Sequence, residues 1–478
     1  MRDPIGQAGR LFARYGDVAS LVRAPVRIVN PGPTPMIPAL RHATGAGIVV
    51  VNGAEKNREV LTDHDRYFMI ALPGRLFPTT SPPPPREKPI TRTMTGLFHV
   101  NSDEHRKHRR LLMPAFAKTR IDAYRDDMVQ ITEDILADYR VGETRDVHAD
   151  MTELTLRVAT KTLFGEDHGE RGTELARKMQ AWLLTMMSPG MLFRWDLPRL
   201  PYARFLDLTS AIDRETAAIV AERRRRAART RAEDPSARAA DMLSSLIAAR
   251  DEDGSALSED ELVGHTGVIF GAGHETSTNA LAWTLLLLAQ HPRILRELDD
   301  ELAPLGGAPP TVADLAKLTL LDGVVRESMR LLPPVPLHPR IVAKDSELGG
   351  YALPAGSELF LSIFHMHHDP KVFPDPEAFL PRRWETSKPS VYEYNPFSAG
   401  PRMCIGASFA LMEIKIVLAM LLSRFRLELP RSSRVDARVA ITMAPRDGLR
   451  MTVRPRTLAP AAPTPFRGTV RRLARWPS

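Results

Sequence analysis

Residues 397–406 read FSAGPRMCIG, from Phe397 to Gly406. Cys404 is the single cysteine among 478 residues. A lone cysteine makes no intramolecular disulfide, fits a reducing compartment, and excludes zinc sites built on several thiolates. Such a residue is most often a small buried hydrophobe, but its neighbours here point elsewhere. An apolar helical pattern starts near Ile405 and runs to about Phe425, which puts Cys404 at a helix N-terminus. There, exposed N–H groups and the helix dipole favour a thiolate over a thiol. Gly400 and Gly406 let the backbone approach a flat ligand closely. Phe397 can shield the sulfur, and Arg402 can reach a carboxylate on that ligand. The pattern is that of a thiolate that binds a metal.

Working outward, the longest helical pattern runs from Ser258 to about Gln290 and stops before Pro292. Ser258 followed by Glu261 is the signature of a capping box. Within this helix, residues 272–276 read AGHET. Glu275 beside Thr276 is a carboxylate and a hydroxyl able to pass protons, and Gly271 and Gly273 weaken the helical ladder and leave room for a small ligand. Further on, Glu327 and Arg330 (ESMR) lie one turn apart on one helix face, and Phe379, Pro381 and Arg383 follow in FLPRRW. His105 and Arg109 share a helix face in EHRKHRR, and Arg340 ends VPLHPR.

Together these segments resemble the cytochrome P450 family. Its haem-ligand signature, Phe-x-x-Gly-x-Arg-x-Cys-x-Gly, is matched at every defined position. The resemblance implies that Cys404 is the axial ligand of haem b (iron protoporphyrin IX), and that Thr276 and Glu275 are catalytic proton handlers. It places Ala272, Gly273, Phe397 and Gly406 against the cofactor, and Arg402, Arg109, Arg340 and His105 on its propionates. It makes Glu327, Arg330 and Arg383 a buried network. Arg382 stands where the family more often has Glu, which leaves Arg383 in place. The implied fold is mainly α with a small β region, of triangular outline, over about residues 25–455. Residues 1–24 are an N-terminal extension and 456–478 a Pro-rich basic C-terminal tail.

The implied activity is that of a monooxygenase acting in secondary metabolism. One atom of O2 enters a lipophilic substrate by hydroxylation or epoxidation. Electrons come from a ferredoxin or flavodoxin served by a NAD(P)H-dependent reductase, docking where Arg109, Arg110, Lys118 and Arg402 gather charge. By the same resemblance the substrate pocket is lined by residues 74–100, an apolar lid at 183–195, Val268 to Ala272, Val335 to His338 and Thr442 to Ala444. Arg194 on its rim is placed to attract a carboxylate. The alternative within this fold is a haem-thiolate sensor, or an isomerase-like or peroxygenase relative. The acid–Thr pair favours oxygen activation.

Other function classes find less support. The formal net charge is +8, and the densest basic run, Arg223 to Arg226, reads as the solvated end of an amphipathic helix and not as a nucleic-acid site. The longest apolar run, Ala280 to Ala289, is far short of the roughly 18 residues a membrane span needs. With no secretory signal at the start, the expectation is a cytoplasmic monomer without a membrane anchor. VIFGAG (268–273) begins a dinucleotide fingerprint, but Thr276 replaces its third glycine. His274-Glu275 begins a zinc-protease motif, but Thr278 replaces its second histidine. His365, His367 and His368 read as structural or surface residues. GIVVVN (47–52) reads as a strand, and residues 72–101 as a long loop.

Overall fold

The computed structural model describes residues 3–20, 47–69, 83–93, 95–165, 169–186, 188–233 and 241–477. The helix Glu259–Gln290 is its axis: 32 residues, or about 48 Å at 1.5 Å per residue. Ser258 caps it as the sequence predicts. Glu261 N donates to Ser258 Oγ at 3.2 Å, and Ser258 N donates to Glu261 Oε2 at 2.6 Å. Its C-terminal half is buried all round, continuously from Ser277 to Leu288, as expected of a helix that is apolar on every face. Each leucine fully buried there contributes about 1.5–3 kcal/mol. Around it pack the helices Val147–Phe164, Pro201–Glu233, Thr319–Leu331 and Ala407–Leu422. Polar contacts fix its rotation. Thr278 meets Thr155 at 2.7 Å, Thr284 donates to Ser328 at 2.8 Å, and Trp283 Nε1 donates to the Met443 carbonyl at 2.9 Å.

The β structure is small. Its largest sheet has five strands in the order Val18–Ser20, Ile48–Val51, Glu358–Ser362, Leu337–Val342, Tyr67–Phe68. Only the pair Ile48–Val51 and Glu358–Ser362 is parallel. Val49 to Val51 and Leu359 and Leu361 are buried, so the β-branched run in GIVVVN is a strand because it lies within the sheet. The segment read as an N-terminal extension supplies the helix Pro4–Tyr15 and the first strand of this order.

Three expectations are corrected. The stretch read as a long loop contains the helix Lys88–Thr93, which packs on the long helix. Residues 70–82 and 94 lie outside the described residues. The segment read as a tail is folded onto the body. Phe466, Val470 and Trp476 are buried, Arg467 bonds through its backbone to Ser433 and Val435, and the Phe466 and Trp476 rings meet edge to face at 4.9 Å. Its prolines and arginines hid three apolar anchors whose burial outweighs the polar composition. The helix after Cys404 starts at Ala407, not Ile405.

Glu327 is a hub of the fold, with no solvent exposure. Its carboxylate accepts from Arg330 Nε and Nη2 (3.0 and 2.9 Å), Arg383 Nε (2.9 Å), Trp384 Nε1 (3.0 Å) and the Leu380 backbone (3.0 Å). Arg330 spends its other N–H bonds on the carbonyls of His367, Pro376 and Ala378. Arg382, the departure from the family pattern, faces outward to Glu297 and Glu385 and leaves the network intact.

Glu413 is also buried, yet neither of its oxygens has a hydrogen bond among the described residues. Burial pushes its carboxyl up to about 8, with Ser277 opposing.

Two tests follow from these acids. Glu327→Ala leaves two guanidiniums without their acid and should cost about 3–5 kcal/mol, read as a lower denaturant midpoint. Glu413 holds its proton in the folded chain up to about pH 8, whereas the unfolded chain releases it near 4.5. Between those values the folded state binds more protons, so stability falls as pH rises. Glu413→Gln should remove that fall. Its melting temperature should exceed the wild type's by a margin that widens from about pH 4.5 to about pH 8.

Candidate active site

The loop 397–406 is closed by its own backbone. Cys404 N donates to the Phe397 carbonyl at 2.8 Å and Met403 N to the Gly400 carbonyl at 3.0 Å. Ser398 and Gly400 take positive φ, 62° and 68°. A Cβ on Gly400 would strike the Leu61 carbonyl, so this glycine lets the loop dock on the helix Ala54–Thr62. A Cβ on Gly406 would meet no clash. It would lie 4.0 Å from the Cys404 sulfur and 3.8 Å from Phe116, filling space beside the sulfur.

Cys404 is itself exposed, yet protein surrounds it closely enough to penalise a charge. Burial pushes its thiol up, and the Gly406 N–H and the Arg109 cation only partly oppose this. The helix N-terminus therefore does not set the balance that the sequence suggests. The helix starts three residues later, and desolvation wins. A bound metal cation supplies the missing charge and deprotonates a coordinating thiol.

Around the loop lies an unusual concentration of positive charge. Arg402 donates to the carbonyls of Leu97 (3.0 Å) and Val100 (2.6 Å) and to Asn101 Oδ1 (2.6 Å), leaving Nε without a partner. Arg109 donates to the Met403 carbonyl at 2.8 Å, and Arg340 to the Pro339 carbonyl at 2.7 Å. Among the described residues no carboxylate pairs with any of the three. Burial, with the charges of Arg340 and Arg109, brings Arg402 down to about 9, and burial alone brings Arg340 down to about 10. Burial and the charges of Arg402 and Arg109 drive His105 down to about 3, and its Nδ1 is unpartnered. His99, which sequence reasoning missed, is buried beside Arg402 with both ring nitrogens unpartnered and is lowered to about 4. It lies on an irregular segment, where no periodicity marks which side chains turn inward. Buried cations without anions are costly, and a dianionic macrocycle with two carboxylates fits this cluster.

Glu275, Thr276, Ala272 and Gly273 sit on the long helix, and no hydrogen bond or ion pair links them to the cysteine cluster. Thr276 Oγ1 donates to the Ala272 carbonyl at 3.0 Å, and Glu275 Oε1 accepts from Thr442 Oγ1 at 2.8 Å. A Cβ on Gly273 would have Ala159 at 4.0 Å, and one on Gly271 would have the Met179 sulfur at 3.6 Å, both ordinary contacts, so helix packing demands neither glycine.

Other expected roles shift as well. Arg194 is committed to Glu87 and Tyr202, both at 2.7 Å, so it is no bare anchor for a carboxylate. The docking patch loses members. Arg402 turns inward, Arg110 pairs with Asp251 and Lys118 with Asp122. In the 183–195 segment, read as an apolar lid, Met186 and Met191 are core, while Phe193 and Trp195 are exposed with their rings tilted against each other at 5.1 Å. The histidines His365, His367 and His368 are structural, bonded to Ser362, the Asn395 backbone and the Phe364 carbonyl.

With this geometry in view, comparison with known proteins settles the family. The cytochrome P450 family profile matches residues 43–448. The chain belongs to the cytochrome P450 family. Cytochrome P450 139 of Mycobacterium tuberculosis is 29% identical over 471 residues, covering 96% of this chain and all of that one. Cyclooctat-9-en-7-ol 5-monooxygenase of Streptomyces melanosporofaciens is 34% identical over 337 residues, 68% of this chain and 71% of its own. Among solved structures, a cyanobacterial P450 with retinoic acid bound superimposes with a TM-score of 0.73 at 25% identity, covering 85% of this chain and 89% of that one. The protein is therefore a P450 monooxygenase with haem b as its cofactor, dependent on O2 and a redox partner. Among the described residues no helix is long and apolar enough to cross a membrane.

The charge cluster makes a prediction about haem retention. Arg340→Gln removes one cation, with a charge-assisted hydrogen bond worth about 1.5–3 kcal/mol. Haem transfer to excess apomyoglobin should then speed up about tenfold or more, while the haem-free protein should melt no lower than the wild type because repulsion is relieved.

Proposed function

We propose that Cys404 is the axial thiolate and that the enzyme places one oxygen atom of O2 into a lipophilic substrate, by hydroxylation of a C–H bond or epoxidation of an alkene. The observation that carries this reading is the exposed Cys404, set among the buried Arg340 and the half-buried Arg109 and Arg402, none of which has a carboxylate partner among the described residues. When bound, haem with a thiolate ligand supplies cleavage of the O–O bond.

The chain's own residues do the rest. Arg402, Arg340 and Arg109, with His105, hold the two propionates by charge-assisted hydrogen bonds. The loop 397–406 fixes the sulfur through the Cys404 N–H to Phe397 bond, with Gly406 leaving space beside it. Oxygen cleavage consumes two protons. The Thr276 hydroxyl now turns its hydrogen back to Ala272; rotated outward, it donates. Glu275, partly exposed on the next position, replenishes that proton from solvent.

The relatives named above support an apolar substrate. One acts on cyclooctat-9-en-7-ol and another binds retinoic acid. A terpenoid, polyketide, steroid or fatty acid in secondary metabolism fits the apolar segments Val268 to Ala272 and Leu183 to Leu184. Electrons arrive from a ferredoxin or flavodoxin reduced by a NAD(P)H-dependent reductase.

Two experiments test the reading. Dithionite-reduced protein under carbon monoxide should show the strongly red-shifted Soret band of thiolate ligation, absent from Cys404→Ala; the same band in that variant would remove Cys404 from the role. Thr276→Ala should keep haem and this band but divert electrons to hydrogen peroxide. Unchanged peroxide release would take proton handling away from Thr276.

A further inference from the structure

The carboxylate of Glu275 has one hydrogen-bond partner among the described residues, Thr442 Oγ1 at 2.8 Å. Thr442 lies in the turn between the strands Ala437–Val439 and Met443–Pro445. That turn is fixed in place. Ala440 N donates to the Thr442 carbonyl at 2.9 Å and Met443 N to the Pro334 carbonyl at 2.8 Å. The Met443 carbonyl in turn accepts from Trp283 Nε1 at 2.9 Å. Trp283 stands eight residues beyond Glu275 on the same helix, about 12 Å away at 1.5 Å per residue. The helix that carries the acid therefore also anchors the turn that carries its donor.

Glu275 and Thr442 line one cleft with Gln180, Leu184, Arg438 and Ile441. Leu184 and Ile441 are exposed, so the cleft opens to solvent. The charged or titratable groups that feel Glu275 are Arg438 from the hairpin, His148 from the helix Val147–Phe164 and His274 from its own helix. Burial lowers both histidines and disfavours their charged forms. His148 bonds to Asn279 and His274 to the Phe270 carbonyl. Arg438 is thus the cation within reach of the acid, and it forms no ion pair with it. A hydrogen bond to a charged group is worth more than a solvent-exposed ion pair. The hydroxyl wins the carboxylate.

We propose that Thr442 is the positioning residue for Glu275. Its hydroxyl holds the carboxylate at the inner end of this cleft and out of an ion pair with Arg438, so that protons entering from solvent pass through Glu275 to Thr276. This rests on the proton-handling role of Glu275 set out under the proposed function.

The test uses the haem-loaded protein and four variants: Thr442→Val, Thr442→Ser, Glu275→Gln, and Thr442→Val combined with Arg438→Gln. Melting temperatures check that each is folded. The first readout is the infrared carboxylate band of Glu275, identified by its loss in Glu275→Gln. The second is hydrogen peroxide released per dioxygen consumed, with reduced ferredoxin supplying electrons. Loss of the hydroxyl should lower the population of the held carboxylate about tenfold or more. Thr442→Val should therefore shift the Glu275 band and raise peroxide release toward the Glu275→Gln level. Thr442→Ser should match the wild type in both. Adding Arg438→Gln should move the shifted band again, because the ion pair that replaced the hydrogen bond is gone. An unshifted band in Thr442→Val overturns the contact. A shifted band with wild-type peroxide release, while Glu275→Gln raises it, overturns the positioning role. Wild-type peroxide release in Glu275→Gln itself overturns the parent reading and this proposal with it, an outcome distinct from the other two.

Discussion

The carboxylate of Glu327 is the constraint on which the placement of Cys404 depends. It joins the helix Thr319–Leu331 to the irregular chain that leads into the cysteine loop. That chain has little regular structure of its own between Pro370 and Phe397, so side chains must satisfy its carbonyls. Arg330 and Arg383 do this. Each binds Glu327 on one edge and the carbonyls of residues 367–378 on the other. The Tyr394 hydroxyl donates to the Arg326 carbonyl, and the Asn395 backbone to His367, which carries the order forward to Phe397. A buried ion pair gives weak evidence of net stability, because desolvation cancels much of its attraction. Its value here is geometric: it fixes an irregular path that no helix or sheet would fix.

Arg109, Arg340 and Arg402 are the opposite case. They are gathered by the helix Ser102–Leu112, the strand Leu337–Val342 and the cysteine loop, and no acid among the described residues pairs with them. Carbonyl oxygens satisfy part of their hydrogen bonding but none of their charge. Burial lowers Arg402, Arg340 and His105, and repulsion from neighbouring arginines adds to it at Arg402 and His105. An anionic group bound among them would relieve that repulsion, so its binding energy would include repulsion already present in the protein.

Much of this was legible in the sequence, for physical reasons. The capping box at Ser258 and Glu261 is local, needing only four consecutive residues, and it formed as read. So did the Glu327–Arg330 pair on one helix turn. Arg383 joined it from 56 positions away, which the family resemblance supplied and residue spacing could not. Readings that depended on composition fared worse. Residues 456–477 are rich in proline and arginine, yet Phe466, Val470 and Trp476 decide their fate, because a few buried aromatic and aliphatic side chains outweigh many solvated ones. Arg194 carried a charge that the sequence showed, while Glu87, 107 positions away, had already claimed it. The Glu275–Thr442 bond spans 167 positions and has no local signal at all.

Three glutamates show why residue type alone does not assign chemistry. Glu327 is wholly buried and bonded on both oxygens, so it organises structure. Glu413 is equally buried and unbonded, and burial keeps its proton on to about pH 8. Glu275 is only partly buried, holds one hydroxyl donor and faces a cleft open to water. An acid that relays protons must reach solvent, exchange its proton without a large desolvation cost, and stay in one place while doing so. Glu327 fails the first requirement and Glu413 the first two. Glu275 reaches solvent through its cleft, and it is held from outside its own helix, by the hydroxyl of a turn that the same helix holds in position through Trp283.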